Sequence, residues 1–224
     1  MINEIELGNG RISLQCFDFT GNAKESIDNG IKFSMEDENP NGFHDCDFAE
    51  NSARGYFSFV EPYEVENIVD GITTMEAKKR IKTAEFVQVG DFLFAWGNSS
   101  AIKLMASYIS SEYSTATKIE FEFNDLFNLQ SRFELCKSVK IKNPKENKVK
   151  TVSLTGTLDH YAEFNVLDPR NHELKAVSGI INSSIGKITV AANNKGIIRI
   201  GTKKGCILPF DVVIWLIKLM NETA

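Results

Sequence analysis

Apolar and polar residues alternate along much of the chain, and the pattern predicts short strands joined by tight turns. In Arg11–Cys16 the residues Ile12, Leu14 and Cys16 fall on one face, with Arg11, Ser13 and Gln15 on the other. Gly8-Asn9-Gly10 precedes them and supplies the positive φ a hairpin turn needs. Ile31–Met35 and Arg54–Val60 read as further strands, and Lys118–Phe123 alternates most cleanly of all. Val139–Lys142 and Val149–Leu158 flank Asn143–Lys148, which gives a hairpin with a basic tip. Tyr161–Leu167 and Ala176–Ile181 are also expected to be strands, with Asp168–Asn171 as a turn.

Four stretches show helical spacing instead. Pro62 is placed to start a helix carrying Val65, Ile68, Val69 and Ile72. Ser99 or Ser100 is placed to cap a second, whose apolar face is Ile102, Met105, Ala106 and Ile109. Asn124 or Asp125 would cap a third, with Leu126, Leu129, Phe133 and Cys136 as its stripe. Pro209 opens the last, with Phe210, Val213, Leu216, Ile217 and Met220 facing inward.

One plan occurs twice. Phe86–Val89 returns through Phe92–Trp96 across a turn at Gly90 and then enters a helix. Lys187–Ala191 returns through Ile197–Ile200 across a turn at Gly196, and a helix again follows. The turn glycines lie 106 residues apart, and Gly97 and Gly201, at the ends of the second strands, lie 104 apart. Either a ββα unit is duplicated, or ββα recurs because it is a common local plan. The expected fold is α+β: an antiparallel sheet of hairpins with two to four helices on one face. A true repeat would make a pseudo-twofold saddle. That layout resembles the saddle of the TATA-binding-protein type over residues 80 to 222, on element order alone, so no functional residue is carried across.

Composition narrows the class. At 224 residues the chain is one large domain or two small ones, and its sixteen Phe residues supply a core that needs few hydrogen-bond partners. Met1–Glu6 has neither a basic region nor an apolar stretch, so no secretory signal is expected. The longest apolar run, Cys206–Met220, is interrupted by Asp211 and Lys218, and it falls short of the ~20 residues of a membrane span. Cys16, Cys46, Cys136 and Cys206 are too far apart for a zinc knuckle and too few for a disulfide scaffold. A reduced, cytoplasmic protein with no membrane contact and no cofactor is expected.

Charge is unevenly spread. Residues 1–77 hold 16 acids and four bases, whereas residues 78–224 hold 14 acids and 21 bases. This shift sets the expected division into an acidic part, 1–77, and a basic part, 78–224, which together form one continuous domain or two.

Candidate chemistry is sparse. No Walker loop, dinucleotide fingerprint, nucleophile elbow, kinase set or zincin helix appears. In His44-Asp45-Cys46-Asp47 an extended backbone lets only His44 and Cys46 converge, two ligands where a closed zinc site needs four. Asp159, His160, Asp168 and His172 bracket strand and turn and offer no nucleophile with an ordered base. The lysines are denser: Lys137, Lys140, Lys142, Lys145, Lys148 and Lys150 fall within fourteen residues. Such a ribbon either contacts phosphates or guards a strand edge against aggregation. Lys203-Lys204-Gly205 is similar to a phosphate loop in composition only. On the last helix Trp215 falls beside Asp211 and Lys218, away from the apolar stripe, where it marks an interface or covers a second internal layer.

Three function classes follow. The first is a non-catalytic interaction or regulatory protein that uses a protein–protein interface, with self-association included. The second is a nucleic-acid binder using the lysine hairpin at 137–150. The third is a metal-dependent enzyme built around His44 and its neighbours.

Overall fold

A computed structural model describes residues 3–20, 24, 27, 31–38, 40–70, 72–112, 115–142, 151–158 and 173–221. The first half of the chain forms β1 (Glu4–Leu7), β2 (Arg11–Thr20), β3 (Asn41–Ala49), β4 (Ser52–Val69), β5 (Ile72–Val89), β6 (Phe92–Gly97), α1 (Ser99–Glu112) and β7 (Thr115–Lys118). The second half forms α2 (Phe123–Ser131), β8 (Leu135–Lys142), β9 (Thr151–Leu158), β10 (Glu173–Ser183), β11 (Gly186–Asn193), β12 (Ile197–Gly201), β13 (Cys206–Pro209) and α3 (Phe210–Asn221). Among the described residues 62% are strand and 19% helix, in three helices. The expected α+β fold, with the saddle of two ββα units, is therefore corrected to a mostly antiparallel β architecture.

The main source of that correction is β4–β5. The segment after Pro62 is not a helix: β4 and β5 are 18 residues each and pair from Ser52↔Val89 out to Val69↔Ile72. Val65, Ile68, Val69 and Ile72 meet helical spacing by coincidence. The residues they need for strand pairing lie in the following segment, where no local pattern reveals them. β3 accompanies β4 only as far as Asn41↔Phe59, and β6 accompanies β5 only as far as Gly97↔Ala84. From Val60↔Ile81 outward the hairpin is, among the described residues, a two-stranded arm of ten residue pairs. Glu61 pairs there with Arg80 and Lys82, and Arg80 lies over the Tyr63 ring, 5.1 Å from its centroid. Position 77 falls within β5, midway along the arm.

Two compact units divide the chain, residues 18–117 and residues 3–17 with 118–224. By sequence the first carries a net charge of −9 and the second +4. In the first, β3, β4, β5 and β6 pair in that order, and Ala101, Met105 and Ile109 of α1 are buried. Phe57, Phe86 and Phe94 are fully buried, and Phe43 meets Phe57 edge to face at 5.1 Å. Asn98, rather than either serine, caps α1: its Oδ1 accepts from the backbone N–H of Ser100 and Ala101. Of the expected strand Ile31–Met35, only an isolated bridge from Lys32 to Phe43 forms.

In the second unit the strand order is β2-β12-β11-β10-β8-β9, beside a two-stranded β1–β13 sheet. Alternation buries Leu14, Val139, Val177, Val190, Ile198 and Ile200 on one face. α2 and α3 pack against each other, and α2 also packs against β10. Residues Ile119–Glu122 are not strand as expected, although Ile119 and Phe121 are still the buried members of that alternation. Glu122 is the N-cap of α2 and forms a capping box with Asp125. Gly196 turns β11 into β12 at φ +68°, and a Cβ there would stand 2.0 Å from the carbonyl oxygen of Ile119, so no other residue fits.

Candidate nucleic-acid interface

The side of this second sheet opposite the buried residues is built by register. Ser13 faces Arg199 on β12, Arg199 faces Ala191 on β11, and Ala191 faces Ser178 on β10. Ser178 faces Ser138 on β8, and Ser138 faces Thr155 on β9. One straight row thus crosses six strands, about 24 Å at the usual ~4.8 Å strand spacing. Arg199 is its only large side chain. Ser138 Oγ and Ser178 Oγ share a 2.6 Å hydrogen bond within it. To one side run Arg11, Gly201, Thr189 and Ile180, and to the other Ala176, Lys140 and Ser153.

Two shallow hollows lie along this face and share Ala191 and Arg199. The larger, about 700 Å³, is lined by Arg11, Lys137, Lys187, Arg199 and Lys203, with Ser13, Thr189 and Thr202. The smaller, about 410 Å³, adds Lys140, Ser138, Ser153, Thr155 and Ser178. Neither includes a carboxylate among its described lining residues. All six bases are exposed. Lys187 alone of them has an ion-pair partner among the described residues, Glu134 at 2.7 Å, whose carboxyl it holds below the usual carboxylate range. Gathered positive charge over a low-dielectric sheet raises the local potential for anions. Side-chain hydroxyls between the bases, such as Ser13, Thr189 and Ser153, add neutral donors for phosphate oxygens.

No protein-family model matches this chain, and a search of the curated proteins finds no match. The reading of the site therefore rests on its own geometry.

Of the lysine hairpin, Lys140 and Lys142 are exposed on β8, while Lys145, Lys148 and Lys150 lie outside the described residues, as do Asp159, His160, Asp168 and His172. Lys140 belongs to the basic face. Lys142 instead reaches Glu173 at 3.5 Å, a carboxyl held low by Lys175 first and by Lys142 second. β8 lies between β10 and β9, so Lys140 and Lys142 guard no edge; β9, the outer strand among the described residues, has no lysine between Thr151 and Leu158. Arg11, Lys187, Arg199 and Lys203 come from three other segments. Sequence reading picked out Lys203 only as part of a phosphate-loop-like composition and missed the other three, because only the register brings them together.

The other candidates separate. On α3 Asp211, Trp215 and Lys218 form an exposed stripe, with Trp215 37% exposed. His44 engages Asp45 Oδ2 through Nδ1 and Ser58 Oγ through Nε2, both at 2.9 Å, and Ser58 continues to Thr83 at 2.8 Å. The order imitates a Ser–His–Asp relay, but Ser58 is 1% exposed, so its hydroxyl cannot reach a substrate. Cys46 Sγ lies 3.4 Å from the His44 carbonyl oxygen and packs where a Cβ on Gly55 would stand. Among the described residues no group of three or more His, Cys, Asp or Glu could hold a metal ion, and no helix is long and apolar enough to cross a membrane.

Proposed function

We propose that this protein binds nucleic acid without catalysis, through the basic face formed by β2, β12, β11, β10 and β8. One observation supports the reading above others: six bases gathered from four segments of the chain, Arg11, Lys137, Lys140, Lys187, Arg199 and Lys203, share a surface with no described carboxylate lining it. A polymer of phosphates matches that surface in charge and length. The acidic unit of the chain would then oppose nonspecific coating of nucleic acid rather than contribute to contact. The test is binding of a labelled mixed-sequence oligonucleotide across a salt series. Log K should fall steeply with log salt, and replacing Arg11, Lys140, Arg199 and Lys203 by Ala should flatten the slope by ~0.7–0.9 per base. An unchanged slope in that variant would remove this face from consideration.

A second reading, an interaction protein that self-associates, is favoured by the arm. Ile68, Ile72, Met75 and Ile81, four of the nine large apolar side chains exposed in the described residues, lie on it. A dimer that forms with concentration in light scattering, and is lost in the Ile68→Asp, Met75→Asp variant, would support this reading. No disulfide joins the cysteines among the described residues, which suits a reducing compartment, and the cytoplasm is the location this proposal carries.

A further inference from the structure

We infer that the nucleic acid taken by the basic face is a duplex, held by its phosphates without regard to sequence. This rests on the nucleic-acid reading above and adds the class of ligand. Proteins that hold single strands do so with aromatic rings on which successive bases stack, each worth about 1–3 kcal/mol. Among the described residues lining both hollows there is no aromatic ring. The row from Ser13 to Thr155 instead carries Ala and hydroxyl side chains around a single arginine. Such a surface offers nothing to splayed bases.

A single strand would also have to be ordered along the sheet, and that entropic cost would go unrepaid without stacking. A duplex arrives already rigid. Over ~24 Å it presents about 14 phosphates, one per ~1.7 Å, so several bases on a fixed sheet can be met at once. Sequence reading calls for side chains that enter a groove and present paired donors and acceptors to base edges, usually from a helix or a two-stranded ribbon. Here short hydroxyls lie between the bases along a broad sheet, so contact stays at the backbone.

The experiment uses the full chain and fluorescence anisotropy with three labelled DNAs of about 20 nucleotides or base pairs: one single strand and two duplexes of unrelated sequence. The expected result is duplex binding at least tenfold tighter than single-strand binding at about 50 mM salt, equal for both duplexes within about threefold, with a slope near −4 to −5. Arg199→Ala with Lys140→Ala should lower that slope by about 2, whereas Lys103→Ala on α1 should leave it unchanged. Thermal melting of each variant confirms that the fold is retained. Single-strand binding as tight as duplex binding, or a preference above about tenfold between the duplexes, overturns the inference and leaves the nucleic-acid reading standing. Absence of binding to all three DNAs at low salt overturns both.

Discussion

The Phe133 ring lies 2.4 Å from where a Cβ on Gly179 would stand. The carbonyl oxygen of Leu135 lies 2.7 Å from the same point. Phe133 is 2% exposed and caps the buried side of β10 at this glycine. Gly179→Ala should therefore overpack the core and cost ~1–3 kcal/mol. Phe133→Ala removes the ring and should cost ~3–5 kcal/mol. The double variant should be more stable than the two costs added together, because the new methyl enters the space the ring leaves. Denaturant unfolding of all four proteins measures the coupling. Additivity within ~0.5 kcal/mol would mean that the two residues do not share this space.

Charge pairing should hold the arm. The Glu61 carboxyl is held below the usual range chiefly by its hydrogen bond from Arg80, and that of Glu76 by Asn67 and then Lys78. A lowered folded pKa gives stability that is present above the unfolded value, ~4.3, and is lost as pH falls through the folded one. Hydrogen-exchange protection in residues 60–82 should therefore drop between pH 5 and pH 3, in a two-stranded segment that is marginal to begin with. Protection in β10 and β11 should persist over the same range. Protection factors in the arm that stay constant across that range would show that these pairs do not support it.

Cys136 should report the opposite end of the scale. It is 1% exposed on β8, and burial pushes its thiol up to about 11. An acid whose folded pKa is raised contributes stability in full below its unfolded pKa, ~8.5, and loses it as pH rises through the folded value. The stability difference between wild type and Cys136→Ala should thus shrink from pH 8 to pH 11. Alkylation of Cys136 at pH 8 should proceed only as fast as the chain opens, because the thiolate is the reactive form. Rapid alkylation in the native state would contradict this placement.

Local pattern made parts of this structure readable and left others hidden. The turns at Gly90 and Gly196 were legible because positive φ has few solutions, and both residues adopt it, at +57° and +68°. The stripe Phe210, Val213, Leu216, Ile217 and Met220 was legible because helix periodicity lies within one segment, and all five are buried. The arm was not legible. Val65 and Ile68 carry no sign that Glu76 and Thr73 will face them across a hairpin. The basic face was hidden for the same reason at longer range. Lys140 was noticed because lysines cluster near it, while Arg199 stands alone in sequence and gains meaning only when Ser13 and Ala191 flank it.

The exposed stripe on α3 separates two roles for its indole. Leu216 is fully buried, whereas Trp215, one residue earlier, is 37% exposed beside Asp211 and Lys218. Adjacent helical residues point about 100° apart, so the two side chains meet different surroundings. Leu216→Ala should cost ~2–5 kcal/mol through the cavity it leaves. Trp215→Ala removes a larger side chain but leaves no enclosed cavity, since water reaches the site, and should cost less than half as much. The comparison is made by denaturant unfolding of each variant, with the m-value checked for constancy. If instead Trp215→Ala costs as much as Leu216→Ala, the indole belongs to a second internal layer. The stripe with Asp211 and Lys218 then offers no surface for a partner, and an interaction role would have to rest on the arm alone.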